Sequence, residues 1–216
     1  MRRIEKGAPP DVVAELRRTP GADWGSVYGD QKEQLRSALA AEQKGLCAYC
    51  NQRLRPDATQ VEHWSPRSDP GTDPFDWTIL LAVCPGGTPS APHCDRLRKD
   101  RALTLHPARR PPDPERVVRF LGDGRVVERD DDVGRDAIER LGLNATLLVR
   151  ARRQALGVVL EQLTALRGEP QRLRALQQRY SEDNVELPPF PTLIRPHLAR
   201  AVKQARARGR RRRVEG

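Results

Sequence analysis

Apolar residues along this chain fall into short patterns, each closed by its own punctuation. Val12, Val13 and Leu16 recur at helical spacing behind Pro9-Pro10-Asp11. Thr19-Pro20-Gly21 ends that pattern, because the residue before a proline is driven out of the helical region. A second stripe, Leu35, Ala38 and Leu39, predicts a helix from about Asp30 to Lys44 with Gly45 as its stop. Trp24 and Tyr28, in the Gly-rich connector between the two, are expected as buried anchors. The run Ile79-Leu80-Leu81-Ala82-Val83 reads as a strand, and a shorter strand ends near His63. Pro66, Pro70, Gly71 and Pro74 make the segment between them a loop, and Pro85-Gly86-Gly87-Thr88-Pro89 makes a second. Val117 to Glu128 reads as a hairpin turning at Gly122-Asp123-Gly124. Beyond it the pattern is helical: Asp136 to Leu141, a long helix capped by Asn144, and Pro170 to Tyr180. Leu187-Pro188-Pro189-Phe190-Pro191 is an extended joint before a basic tail.

These elements predict an α+β, mostly helical protein. Its expected parts are an N-terminal helical region (1–44), a small core (45–106), a linker with hairpin (107–133), a helical region suited to partner docking (134–194) and the basic tail (195–216). Composition then sharpens the picture. Aromatic residues are 4% and charged residues 31%, so the apolar core is lean, and a structural metal is a ready substitute for burial. The net charge of +10 favours a polyanionic partner, nucleic acid being the common case. No apolar run approaches the ~20 residues of a membrane span. The opening Met1-Arg2-Arg3-Ile4-Glu5-Lys6 lacks the apolar block of a secretory signal, so a cytoplasmic, reducing location is expected.

In that compartment four clustered cysteines point to metal before disulfides. Cys47 and Cys50 form a Cys-x-x-Cys knuckle; Cys84 and Cys94 follow, with nine residues between them, and together the four make a set for structural zinc. His93, beside Cys94, is an alternative ligand. Between the pairs stands Glu62-His63, and Asp95 follows Cys94 at the start of a basic helix. Phosphodiester hydrolysis needs an activated water and a hard cation. Histidine suits the first task near neutral pH, and carboxylates suit the second because Mg²⁺ or Mn²⁺ prefers oxygen. Neighbours on a regular strand point to opposite faces, so Glu62 and His63 are expected to converge only if the strand end is distorted.

At these residues the chain resembles a known family. Gly45-Leu46-Cys47-Ala48-Tyr49-Cys50, Val61-Glu62-His63-Trp64-Ser65-Pro66-Arg67, Asp76-Trp77-Thr78-Ile79-Leu80 and His93-Cys94-Asp95 with Arg98 look like the HNH (ββα-metal) endonucleases. The closer resemblance is to the HNH subunits of Septu-type anti-phage defence systems and their retron-linked relatives. Arg3 and Lys6, Glu42-Gln43-Lys44, Ile138, Leu141-Gly142-Leu143-Asn144 and Arg150 extend it over roughly Met1 to Arg153. The resemblance implies a zinc-stapled ββα-metal core with His63 as general base, Glu62 and Asp95 as ligands of a catalytic Mg²⁺ or Mn²⁺, and the four cysteines as a structural zinc cluster. It also implies an ABC/SMC-like ATPase partner that gates cleavage of nucleic acid, DNA in the first instance. Arg67, Arg96, Arg98 and Lys99 are the expected phosphate contacts.

The chain departs from the family at Ile79, where an asparagine is usual, and at Arg98, where lysine is usual. Isoleucine cannot brace the loop after the histidine strand, so a loop carbonyl there is expected to lose its partner, at about 1–3 kcal/mol if buried. A catalytically inactive zinc-stapled nucleic-acid-binding or adaptor subunit is the alternative reading. The tail, with Arg195, Arg200, Lys203, Arg206, Arg208 and Arg210 to Arg213, is expected to be disordered when free and to attract phosphates. His106 and His197 are given no catalytic part.

Overall fold

The computed structural model describes the backbone of residues 1–214 except 110, 130, 131, 167 and 168, and side chains as far as Arg208. Helix α1 (Asp11–Arg18) buries Val12, Val13 and Leu16, and α2 (Gly29–Glu42) buries Leu35 and Leu39, as the stripes require. Lys44 and Gly45 then take positive φ, turning the chain directly into the first cysteines. Glycine suits position 45, where φ is +73, a conformation that side chains strain to adopt.

Strand β1 (Gln60–His63) pairs antiparallel with β2 (Leu80–Val83), Glu62 opposite Leu81 and His63 opposite Leu80. Every residue of β2 is buried, which explains its unbroken apolar run. The β2 backbone is also served by α2. Gln43 donates through Nε2 to the Ala82 carbonyl at 2.7 Å and accepts the Ala82 N–H at 2.8 Å. A minimal hairpin, β3 (Gly87–Thr88) and β4 (Ala91–Pro92), leads into α3 (Cys94–Arg98).

After the proline-rich linker come α4 (Pro114–Val117), the hairpin β5 (Val118–Phe120) and β6 (Val126–Glu128), and α5 (Asp132–Arg140). Three helices follow: α6 (Thr146–Ala165), α7 (Pro170–Gln178) and α8 (Pro191–Val214). The main core runs from Met1 to Leu148 around β1 and β2. A second cluster (Val159, Leu176, Tyr180, Ile194, Leu198) and a third (Leu156, Phe190, Leu193) hold α6, α7 and α8 together. The joint before α8 ties this helical unit to the cysteine region. Leu187 N–H donates to the Lys44 carbonyl and Phe190 N–H to the Asn51 carbonyl, at 3.1 and 3.0 Å.

The whole is a mixed α/β protein with small two-stranded sheets. Among the described residues no helix is long and apolar enough to cross a membrane. Three expectations change. Tyr28 is 76% exposed, while Trp24 is half-buried. Asn144 does not cap α6; its amide pairs with both the N–H and the carbonyl of Val126, pinning the hairpin. The basic tail continues α8 as helix through Val214, the side chains of Arg210 to Arg213 lying outside the described residues.

Candidate metal centre and active site

The first knuckle is shaped by the residue that follows it. Asn51 takes φ +62, and both its N–H and its side-chain Nδ2 donate to the Cys47 carbonyl, at 3.1 and 3.2 Å. This closes the turn that brings Cys47 and Cys50 onto one side. Cys84 leaves the end of β2, with its N–H 3.4 Å from Cys47 Sγ. Cys94 opens α3 at φ +49, with its N–H donating to the Leu141 carbonyl at 2.8 Å. Gly86 lets the intervening loop pass beneath the chain, since a Cβ there would lie 2.3 Å from the His93 carbonyl.

All four sulfurs are buried and lie within 4.8 Å of one another. Cys47 to Cys94 is 3.9 Å and Cys50 to Cys84 is 3.8 Å. A disulfide needs about 2.05 Å. A zinc tetrahedron with Zn–S bonds near 2.3 Å has edges of about 3.8 Å, so the cluster fits that ion. Burial raises the Cys50 and Cys94 thiols, whereas hydrogen bonds from Cys47, Cys50 and Cys94 pull Cys84 down. His93 Nδ1 stands 3.3 Å from Cys94 Sγ and 3.9 Å from Cys84 Sγ, beside a set that four sulfurs already complete.

The carboxylates of Glu62 and Asp95 interact next to the cysteine cluster. Glu62 is buried on β1, where it accepts from Tyr49 Oη at 3.2 Å and ion-pairs with Arg98. Burial raises its carboxyl to about 8 against the pull of Arg98, and Asp95, within hydrogen-bonding reach, adds to the rise. Residues 62 and 95, far apart in sequence, are therefore neighbours. They form a hard, oxygen-rich pair in which Glu62 keeps its proton at neutral pH, a proton that a bound cation would displace.

His63 leaves the strand on the opposite face. β1 stays paired with β2 through His63, so the distortion that would turn both side chains one way does not occur. The imidazole is 7% exposed, with its ring edge-on to Trp24 at 4.4 Å. Its Nε2 lies 3.0 Å from the Pro74 carbonyl. A carbonyl only accepts, so Nε2 carries the hydrogen and the lone pair is on Nδ1. Burial, with Arg67 and Arg98, lowers the imidazole to about 4, so it is neutral at physiological pH.

Arg98 is the residue the sequence pattern placed wrongly. It is 1% exposed and faces inward, away from any phosphate. Besides Glu62 it donates to the Tyr49 hydroxyl and to the carbonyls of His63 and Trp64. The loop carbonyls expected to lose their partner beside Ile79 are thus held by this guanidinium. Ile79 itself is buried, and its own carbonyl accepts the Trp64 N–H at 2.9 Å. The other expected phosphate contacts, Arg67, Arg96 and Lys99, are exposed. Tyr49 had no signal beyond its place inside the knuckle.

Comparison with known proteins finds similarity over part of the chain only. No protein-family model matches the sequence. One relative, named as the presumed HNH endonuclease of the Escherichia coli retron Ec83, is 30% identical over 100 residues, covering 41% of this chain. The match spans 39% of that protein's length. The chain thus shares part of its length, at low identity, with a protein described as an HNH endonuclease.

Proposed function

We propose that this protein is a metal-dependent HNH-type endonuclease, with β1, β2 and α3 as its ββα-metal core. The observation that carries the reading is the meeting of Glu62 and Asp95 beside the four-sulfur cluster, with His63 the residue after Glu62 at the end of β1. Glu62 and Asp95 are the residues that would hold a divalent cation, Mg²⁺ or Mn²⁺. When bound, that ion supplies positive charge for the oxygen that departs from phosphorus. His63, in the rotamer fixed by Pro74, accepts the proton of the attacking water at Nδ1. An approaching phosphate would raise the basicity of an imidazole that burial, Arg67 and Arg98 depress. Arg98 positions Glu62 and the end of the histidine strand, and Arg67, Arg96 and Lys99 neutralise flanking phosphates.

The resemblance to Septu-type and retron-linked subunits, and the retron relative, support a role in anti-phage defence with an ABC/SMC-like ATPase as the gating partner and DNA as substrate. A plasmid-nicking assay with Mg²⁺ or Mn²⁺, with and without that ATPase, tests the activity. His63→Ala lowers cleavage by about 10²-fold or more while zinc content and DNA affinity stay at parental values. Equal cleavage by the variant and the parent removes His63 from the mechanism.

A second reading is a zinc-stapled adaptor without catalysis. It is favoured by one observation: the imidazole contacts Pro74 and Trp24, and neither carboxylate is among its partners. Tight DNA binding with no nicking under any metal, even in the complete complex, would select it.

A further inference from the structure

Arg152 lies on α6, far from the catalytic residues in sequence, and is 0% exposed. Buried guanidinium groups normally face a carboxylate. Among the described residues Arg152 has none. Its only hydrogen bonds run from one terminal nitrogen to the carbonyls of Gly124 (3.1 Å) and Leu143 (2.7 Å). Nε and the other terminal nitrogen are buried without partners. Phe120 and Phe190 present their rings at 5.4 and 5.9 Å, which offers the charge modest relief.

The surroundings of Arg152 lead to the cysteine cluster. Leu143 lies two residues beyond Leu141, whose carbonyl receives the Cys94 N–H. Phe190 donates its N–H to Asn51, the residue after Cys50. The guanidinium is therefore held between the segment that fixes Cys94 and the segment that borders Cys50. Burial lowers its pKa to about 10, and Cys50 and Cys94 oppose the fall, so it stays charged at neutral pH. Four thiolates around one Zn²⁺ carry a net charge of −2, buried in the same core.

We propose that Arg152 is the built-in counter-cation of the four-thiolate centre, stabilising the dianionic zinc-loaded cluster and coupling α6 to its integrity. This rests on the reading that the cluster holds zinc. Arg152 is a positioning residue: it touches neither ion nor substrate, and acts through the charge it places in the same buried core as the sulfurs.

The test is zinc release from the full-length, zinc-loaded protein to a chromogenic chelator, after zinc content has been measured. Arg152→Gln and Arg152→Lys both lose the forked contact with Gly124 and Leu143, but only lysine keeps the charge. Arg152→Gln is expected to release zinc at least about tenfold faster than the parent, with Arg152→Lys within about threefold. Arg153→Gln, an exposed neighbour on α6, leaves the rate unchanged. Equal release by the Gln and Lys variants, or parental release from a folded Arg152→Gln, overturns the proposal. If Arg152→Gln does not fold, the lysine variant decides: a folded Arg152→Lys that retains zinc supports it, and one that loses zinc or fails to fold overturns it. A parent protein that purifies without zinc defeats the metal reading itself, and the initial zinc measurement separates that failure from the others.

Discussion

The four-cysteine cluster and the Glu62–Asp95 pair meet at a single peptide bond, Cys94–Asp95, yet they are built by opposite rules. The cluster is closed: four soft donors, all buried, at tetrahedral spacing, with no position left for a water or substrate. The pair is incomplete: two hard donors, one held by a guanidinium, with Asp95 only partly buried. A cation at the pair would need its remaining ligands from water or substrate, which is how catalytic sites differ from structural ones. The contrast teaches that α3 serves both at once. Its first residue is fixed by sulfur, and the rigidity this gives lets its second meet a carboxylate from another element.

The largest expected effect breaks the closed side. Cys50→Ser leaves three sulfurs and removes an ion whose binding is worth on the order of 10 kcal/mol in small zinc domains. That is comparable with the whole stability of a typical domain, ~5–15 kcal/mol. The variant should purify without zinc and lack a cooperative unfolding transition. A folded, zinc-free Cys50→Ser would show that the core does not need its staple.

A smaller effect is expected on the open side. Arg98→Met strands the buried Glu62 and frees the His63 and Trp64 carbonyls, at a cost of about 3 kcal/mol in urea unfolding, with zinc retained. Arg98→Lys should recover part of this, because an ammonium can neutralise Glu62 but cannot fork to the two carbonyls. If Arg98→Met unfolds at the parental urea concentration, the brace is not an energetic feature.

The smallest effect is a pH dependence. His63 and His106 are both held at about 4, His63 mainly by burial and His106 by burial and Arg109. Below ~6.5 an unfolded chain takes up protons that the folded one refuses, so these residues cost stability as pH falls from ~6.5 towards 4. The raised Glu62 acts in the opposite sense, giving stability that is lost as pH rises through about 8. The difference between the parent and His106→Gln isolates one contribution: the variant's melting temperature should fall less between pH 7 and 5. An identical slope would mean that His106 titrates normally.

The sequence showed the closed side far better than the open one. Cys47 and Cys50 announce a knuckle by spacing, and the confinement of all four cysteines to one window made the set legible. The helices were legible from their stripes, and the strands from an apolar run ending at Cys84. Burial of charge was not. Arg98 sits in a run with Arg96 and Lys99 and looks like a phosphate contact; only the fold shows it turned inward to Glu62. Arg152 is one arginine among several on α6, with no local mark of its enclosure. Asn144 had the chemistry of a cap but met Val126 instead, because a side-chain amide takes whichever backbone edge the tertiary fold supplies. The separation of His63 from the carboxylates was open from sequence, since it depended on whether the end of β1 stayed regular.

The central claim is that a sulfur-fixed helix start holds two carboxylates ready for a second, harder ion. It is tested most directly by Mn²⁺ binding to the zinc-loaded protein, followed by electron paramagnetic resonance. The account predicts one bound Mn²⁺ in the parent, lost in both Glu62→Gln and Asp95→Asn, with zinc content unchanged in all three. Parental Mn²⁺ binding in either variant would contradict it.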